Sequence, residues 1–204
     1  MSDDIWVAII ETSPLWLTIV AIVFLVLHFR QPLTEKLLSA NRLAIGGFEL
    51  ESAGAALTTA RADAPVPGLV ARALVRRTKE RADDLVGLRI LWVDDHPSGN
   101  RHERRYFRAA GITVVNALDT ESALRELRTD DYDIVITDFR RGNDPAAGPE
   151  LATRARGEGY DQPFVAYLGH VEPGRAAPQE FLRITDRPDD LVTAVLDVAD
   201  SRTA

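Results

Sequence analysis

RILWVDD, Arg89 to Asp95, and YDIVITD, Tyr132 to Asp138, are the stretches on which the fold turns. Each is a short apolar run, rich in β-branched and aromatic residues, that stops at an aspartate. Such a run suits a strand buried on both faces with its polar residue at the carboxyl end. After the first, SGNRHERRYFRAAG (Ser98 to Gly111) offers Ser98 as an N-cap and Gly111 as a C-terminal stop, so it reads as a helix. Ile112 to Ala117 (ITVVNA) is a second strand, and Thr120 to Arg128 a helix opened by Asp119 or Thr120. After the YDIVIT strand, Pro149 to Gly157 supplies a helix and Pro163 to Leu168 (PFVAYL) a fourth strand. Phe181 to Thr185 (FLRIT) is the fifth, and Asp189 to Ala199 the closing helix. Alternation at this spacing predicts an α/β fold with a five-stranded parallel, doubly wound sheet and right-handed crossovers.

Ligands of such sheets gather at the carboxyl ends of the strands, where strand order reverses. Asp94, Asp95 and Asp138 all stand at such ends. In a flavodoxin-like order the first and third strands are neighbours, which brings the three carboxylates together. They repel unless a cation neutralises them, and an all-oxygen cluster that keeps water positions open suits Mg²⁺. The ion would screen an incoming phosphoryl group and leave one carboxylate free to attack phosphorus, so this geometry permits an aspartyl phosphate.

LWVDDHP together with YDIVITDFR resembles the receiver domain of two-component response regulators, CheY-like in organisation, over about Arg89 to Ala199. The resemblance implies that Asp138 is the phosphoacceptor and Asp95 a direct Mg²⁺ ligand, with Asp94 acting mainly through metal-bound water. It implies that the backbone carbonyl of Arg140 completes the ligands, and that a histidine kinase or other phosphodonor is the partner. The protein is then no enzyme beyond possible autodephosphorylation. Three positions depart from the family pattern. Leu168 stands where a Ser or Thr hydroxyl would meet the phosphoryl group, Ile184 where an aromatic side chain would switch rotamer, and Arg187 where a lysine would precede the proline. Arginine keeps the charge with a different reach. GHVEPGRAAPQE, Gly169 to Glu180, holds two prolines and two glycines, so the fourth helix is expected to be shortened or lost.

Ahead of this domain, Pro14 to Phe29 (PLWLTIVAIVFLVLHF) has no formal charge apart from His28. With the preceding IWVAII it reaches the ~20 apolar residues a membrane-spanning helix needs. Asp3, Asp4 and Glu11 precede it and Arg30, Lys36 and Arg42 follow, which predicts an outside N-terminus and a cytoplasmic receiver-like domain at a bacterial inner membrane. The acidic leader argues against a cleaved signal peptide. The expected organisation is an anchor over residues 1–31, a juxtamembrane segment and linker over 32–68, a linker helix over 69–88 and the receiver-like domain over 89–204. Within the linker, AIGGFELE (Ala44 to Glu51) reads as a turn into a short strand, and the small residues of Ser52 to Gly68 as having little to bury. AIGGFELE and the span both offer sites of self-association.

The whole chain has 204 residues with 24 Lys+Arg, 31 Asp+Glu, a formal charge of −7 and no cysteine, which excludes thiolate metal sites, disulfides and a Cys nucleophile. The acidic balance argues against nucleic acid as a partner. Two functions follow: a membrane-anchored signalling protein phosphorylated on Asp138, with an unknown downstream protein as its output partner, or a phosphorylation-independent pseudo-receiver serving as a membrane-tethered scaffold. A metal-dependent hydrolase has the carboxylates but no evident acid–base partner. His96 reads as a loop residue near the acidic site, His102 and His170 as incidental, and Arg140-Arg141 as a solvated loop pair.

Overall fold

Alternation along the central strands sorts the core onto two faces. In β1 (Arg89–Val93), Ile90 and Trp92 point to one side and Leu91 and Val93 to the other, and all four are buried. The same division runs through β3 (Ile134–Thr137), with Ile134 and Ile136 opposite Val135, and β4 (Phe164–Tyr167), with Val165 and Tyr167 opposite Phe164 and Ala166. A strand buried on both sides needs helices on both sides. In the computed structural model, which describes residues 47–202 apart from 173 and 175, they are there.

The sheet is parallel throughout, in the order β2-β1-β3-β4-β5, with β2 at Thr113–Ala117 and β5 at Phe181–Thr185. β1 and β3 are therefore neighbours, as the flavodoxin-like reading requires. One face is covered by α5 (Thr120–Thr129) and α6 (Ala147–Gly157). The other carries α4 (Arg101–Ala109) and α7 (Pro188–Arg202). α5 opens with a reciprocal capping box: Asp119 accepts from the Ser122 N–H at 2.6 Å and the Ser122 hydroxyl accepts from the Asp119 N–H at 3.1 Å. Between β4 and β5 no described residue is helical, as the prolines and glycines of that stretch predict.

Three helices ahead of β1 join the α4/α7 face. Residues 47–57 form the described part of α1, which is where a turn and strand were expected. Phe48 and Leu50 alternate over too short a window to define a period. Leu50, Ala53 and Leu57, spaced three and four apart, are the residues buried, while Phe48 is 75% exposed. Leu57 and Val66 also correct the expectation that residues 52–68 bury little. α2 (Gly68–Glu80) and the short α3 (Ala82–Leu85) replace the single helix read over Leu69–Val86, with the break at Arg81. Ala71, Leu74, Val75 and Thr78 face the core, and the Thr78 hydroxyl bonds the buried Tyr106 hydroxyl of α4 at 2.7 Å. On the outer side Arg77 reaches Asp197 at 2.8 Å and Asp200 at 2.9 Å on α7, while Lys79 meets Glu51 of α1 at 2.6 Å.

The expected membrane anchor, residues 1–31, lies outside the described residues. Among those described, no helix is long and apolar enough to cross a membrane.

Candidate functional site

The carboxyl ends of β1, β3 and β4 open into a cleft of about 480 Å³. Asp94, Asp95, Asp138, Arg140 and Leu168 line it, so five of the residues singled out from sequence meet there. Ile184 and Arg187 are not among its lining residues. Ile184 is half-buried on β5 beside Ala166, and the Arg187 guanidinium pairs with Asp189 at 2.9 Å at the start of α7. The cation expected from Arg187 is thus engaged with its own helix, where an aspartate in the first turn also complements the helix dipole.

Each carboxylate is held differently. Asp94 is buried; its Oδ1 accepts from the His96 N–H at 2.7 Å and its Oδ2 from the Asn100 side-chain amide. That contact corrects the helix start. Asn100, not Ser98, occupies the N-cap position of α4, but its side chain serves Asp94 instead of capping the helix. Asp95 accepts from the Gly142 N–H at 2.7 Å, and its other oxygen lies 3.0 Å from His96 Nδ1. Burial pushes the Asp95 pKa up, but the Gly142 N–H and His96 outweigh it, so the carboxyl sits below its ordinary value. His96 is raised in return, chiefly by its hydrogen bond to Asp95. Asp138 goes the other way: burial raises its pKa, the Arg140 N–H at 3.3 Å opposes the shift, and the negative charge of Asp94 adds to it.

One oxygen or nitrogen from each of Asp94, Asp95 and His96 falls within 4.8 Å of the others, close enough to share an ion. His96 is thereby a nearer neighbour of the acidic pair than its loop position alone implied.

The loop after β3 is fixed from beneath by Arg141. This residue, expected to be a solvated partner of Arg140, is instead buried, and burial lowers its pKa. Its guanidinium donates to Thr137 Oγ1 at 2.5 Å, to the Asp138 carbonyl at 3.2 Å, to Thr120 Oγ1 at 2.7 Å and to the Ala147 carbonyl at 2.7 Å. It therefore ties β3, α5 and α6 together around the Asp138 backbone. Gly148 comes equally close: a Cβ built there would lie 2.5 Å from the Asp138 carbonyl oxygen and 2.9 Å from Phe139 Cα.

On the opposite lip, Ala60, Arg61 and Asp63 also line the cleft, contributed by the segment between α1 and α2. The Arg61 guanidinium donates to the Leu168 carbonyl at 2.6 Å and the Gly169 carbonyl at 2.5 Å, and lies 5.4 Å from the centre of the Tyr167 ring. The Tyr167 hydroxyl in turn donates to the fully buried Glu103 at 2.8 Å. Reading the sequence could not reach Arg61: it stands among small residues with no periodicity, and the carbonyls that accept its hydrogen bonds lie more than a hundred positions away.

No protein-family model matches the chain, and no curated protein is detectably similar to it in sequence. Solved structures are similar in fold. A two-component response regulator from Clostridium difficile superposes with a TM-score of 0.50 at 16% identity, over 57% of this chain and 99% of that one. The response regulator TrrA of Thermotoga maritima in complex with Mg²⁺-BeF gives 0.47 at 22% identity, over 54% and 98%. TrrA in complex with the histidine kinase ThkA gives 0.48 at 22%, over 54% and 97%. At these identities the likeness is one of fold, and the Clostridium difficile regulator carries it: residues of this chain form the same kind of five-stranded parallel α/β fold.

Proposed function

We propose that this chain is a receiver-like signalling protein in which Asp138 accepts a phosphoryl group from a histidine kinase or another phosphodonor. The observation that supports this reading is the convergence of Asp94, Asp95 and Asp138 in one cleft at the carboxyl ends of the neighbouring strands β1 and β3. In the transfer, an Asp138 carboxylate oxygen bonds to phosphorus as the bond from phosphorus to the donor's leaving group breaks. The product is an acyl phosphate, whose hydrolysis returns the carboxylate. Arg141 and the α6 backbone hold the nucleophile in place, and the Arg140 N–H orients one of its oxygens.

A divalent cation fits the donors present. Asp94, Asp95 and Asp138 are hard oxygen ligands, and burial together with the Asp94 charge already disfavours the ionised form of Asp138, a cost a cation in the cleft would offset. Asp94, Asp95, Asp138 and the Arg140 carbonyl are the groups that would hold Mg²⁺. Bound there, it would neutralise charge on the phosphoryl oxygens.

The hydropathy and flanking charges of residues 1–31 favour a single-pass anchor with the receiver-like domain on the cytoplasmic side of the membrane. Output would then pass to a protein partner or through association of anchored chains. Tethering raises the effective concentration of any membrane-bound partner.

Intact mass of the full chain, after incubation with Mg²⁺ and a small acyl phosphate, tests the reading. One phosphoryl adduct that needs Mg²⁺ and disappears in Asp138→Asn is expected. No adduct under these conditions would refute phosphorylation and favour the second reading, a phosphorylation-independent scaffold. That alternative draws on Leu168, which offers no hydroxyl, and on the pairing of Arg187 with Asp189.

A further inference from the structure

Arg61 is a cation at the rim of an acidic cleft whose hydrogen bonds go to two neutral carbonyls, while its charged partner is the exposed Asp63. Its side chain is 17% exposed, and its fork is spread over two main-chain carbonyls at the end of β4, with Asp63 3.5 Å away on the solvent side. The pairing of Thr137 with Ala166 sets the carboxyl ends of β3 and β4 side by side, and Arg61, Asp138, Leu168 and Gly169 line the same cleft there. Leu168 has no polar atom in its side chain, and Arg187, paired with Asp189, is not among the lining residues, which leaves Arg61 and the loop residue Arg140 as the arginines that line the cleft.

We propose that Arg61 is the cleft's oxyanion-binding residue, pairing with the phosphoryl oxygens carried by Asp138; this deepens the phosphoacceptor reading and rests on it. The physical ground is competition between acceptors. Hydrogen bonds to carbonyl oxygens lose to charge-assisted bidentate bonds with a phosphoryl group, which are about twice as strong and match the planar guanidinium fork. Exchange of partners needs a shift of the fork across the cleft lip, not a rearrangement of the sheet. Tyr167 provides an apolar face along which the side chain remains packed, and the Tyr167–Glu103 bond fixes that ring from behind. The segment between α1 and α2, residues 58–67, is thereby the part of the chain that moves when the cleft fills.

The test uses the full chain in mild detergent, with Mg²⁺ and beryllium fluoride as the phosphoryl mimic and calorimetry as the readout. Arg61→Gln should weaken beryllium fluoride binding by about tenfold or more, the loss of a charge-assisted pair. Mg²⁺ binding alone should be unchanged. Arg61→Lys, which keeps the charge but not the fork, should lose less. Hydrogen exchange of backbone amides within residues 58–67 should change on adding the mimic to the wild type and not to Arg61→Gln. A purely structural Arg61 would instead alter thermal stability and leave the affinity for the mimic as in the wild type. If the wild type binds beryllium fluoride and both variants bind it equally well, the Arg61 inference falls while Asp138 keeps its role. If the wild type neither binds the mimic nor forms the adduct, the phosphoacceptor reading fails, and the role of Arg61 with it.

Discussion

Gly148→Ala places one methyl group against the backbone of the residue on which the proposed chemistry depends. The new Cβ would stand 2.5 Å from the Asp138 carbonyl oxygen, 2.9 Å from Phe139 Cα and 3.2 Å from the Asp138 carbonyl carbon. Ordinary carbon contacts begin near ~3.5 Å, so either α6 or the strand end must move by about 1 Å. The atoms met are main chain and cannot rotate aside. Arg141 already pins them through bonds to the Asp138 and Ala147 carbonyls, and the Gly148 N–H donates to the Phe139 carbonyl at 3.0 Å. Overpacking of this kind costs ~1–3 kcal/mol, of which better helix propensity returns less than ~1 kcal/mol. Gly157, at the other end of the same helix, has open space where its Cβ would go, and alanine there should stabilise by ~0.4–1 kcal/mol. Urea unfolding of the full-length variants should therefore move in opposite directions. The adduct on Asp138 should also be lost or slowed in Gly148→Ala, since ~1 Å of misplacement can cost ~100-fold in a positioned reaction. A Gly148→Ala protein as stable as Gly157→Ala, with the adduct unimpaired, would refute the close approach of α6 to the acceptor.

Arg141→Ala should destabilise by ~3 kcal/mol or more, because it orphans acceptors on three elements, and Arg141→Lys should restore only part of that; a change within ~0.5 kcal/mol in urea unfolding would instead mark a solvated arginine. Burial pushes the Tyr106 phenol up to about 12 from 10.0, with the Thr78 hydrogen bond opposing. The folded protein keeps a proton that the unfolded chain loses, so stability should fall as pH rises from ~10 to ~12, by up to ~1.4 kcal/mol per pH unit. Tyr132 and Tyr167, also shifted up, add to the slope in the same direction, so Tyr106→Phe should reduce it by the Tyr106 share, and an undiminished slope would show that this phenol is not protected.

Much of the sheet was legible because both of its faces are buried. Five apolar runs, bounded by turns and closed by Asp94 and Asp138, leave few alternatives to a parallel arrangement, and the β1–β3 adjacency that gathers the carboxylates follows from it. The acidic residues could be read because their position is local: each follows a strand directly. Arg141 was misread for the converse reason. Nothing in FRRGND distinguishes an arginine turned inward from its exposed neighbour Arg140; only the acceptors on α5 and α6 do. Residues 47–67 failed in a related way, since Ala, Thr and Gly in sequence suggest a spacer until Leu57 and Val66 are seen to be covered by a domain that lies wholly downstream. Arg187, already a departure from the lysine of the family pattern, shows that a charge at a matching position can be taken up locally, here by Asp189 two residues on.

Some of the bonds that seat α2 and the segment ahead of it span long stretches of chain. Arg61 reaches Leu168 across 107 positions and Arg77 reaches Asp197 across 120. During synthesis these early residues emerge well ahead of everything they pack against, and closing loops of that length is entropically costly until the sheet has formed. The β1–β3 centre, whose paired residues are closer in sequence, can form before the Arg61 and Arg77 contacts close. Contacts that form late contribute little to the rate of folding and much to the rate of unfolding. The cleft lip at Arg61 thus belongs to the part of the domain that closes last and opens first.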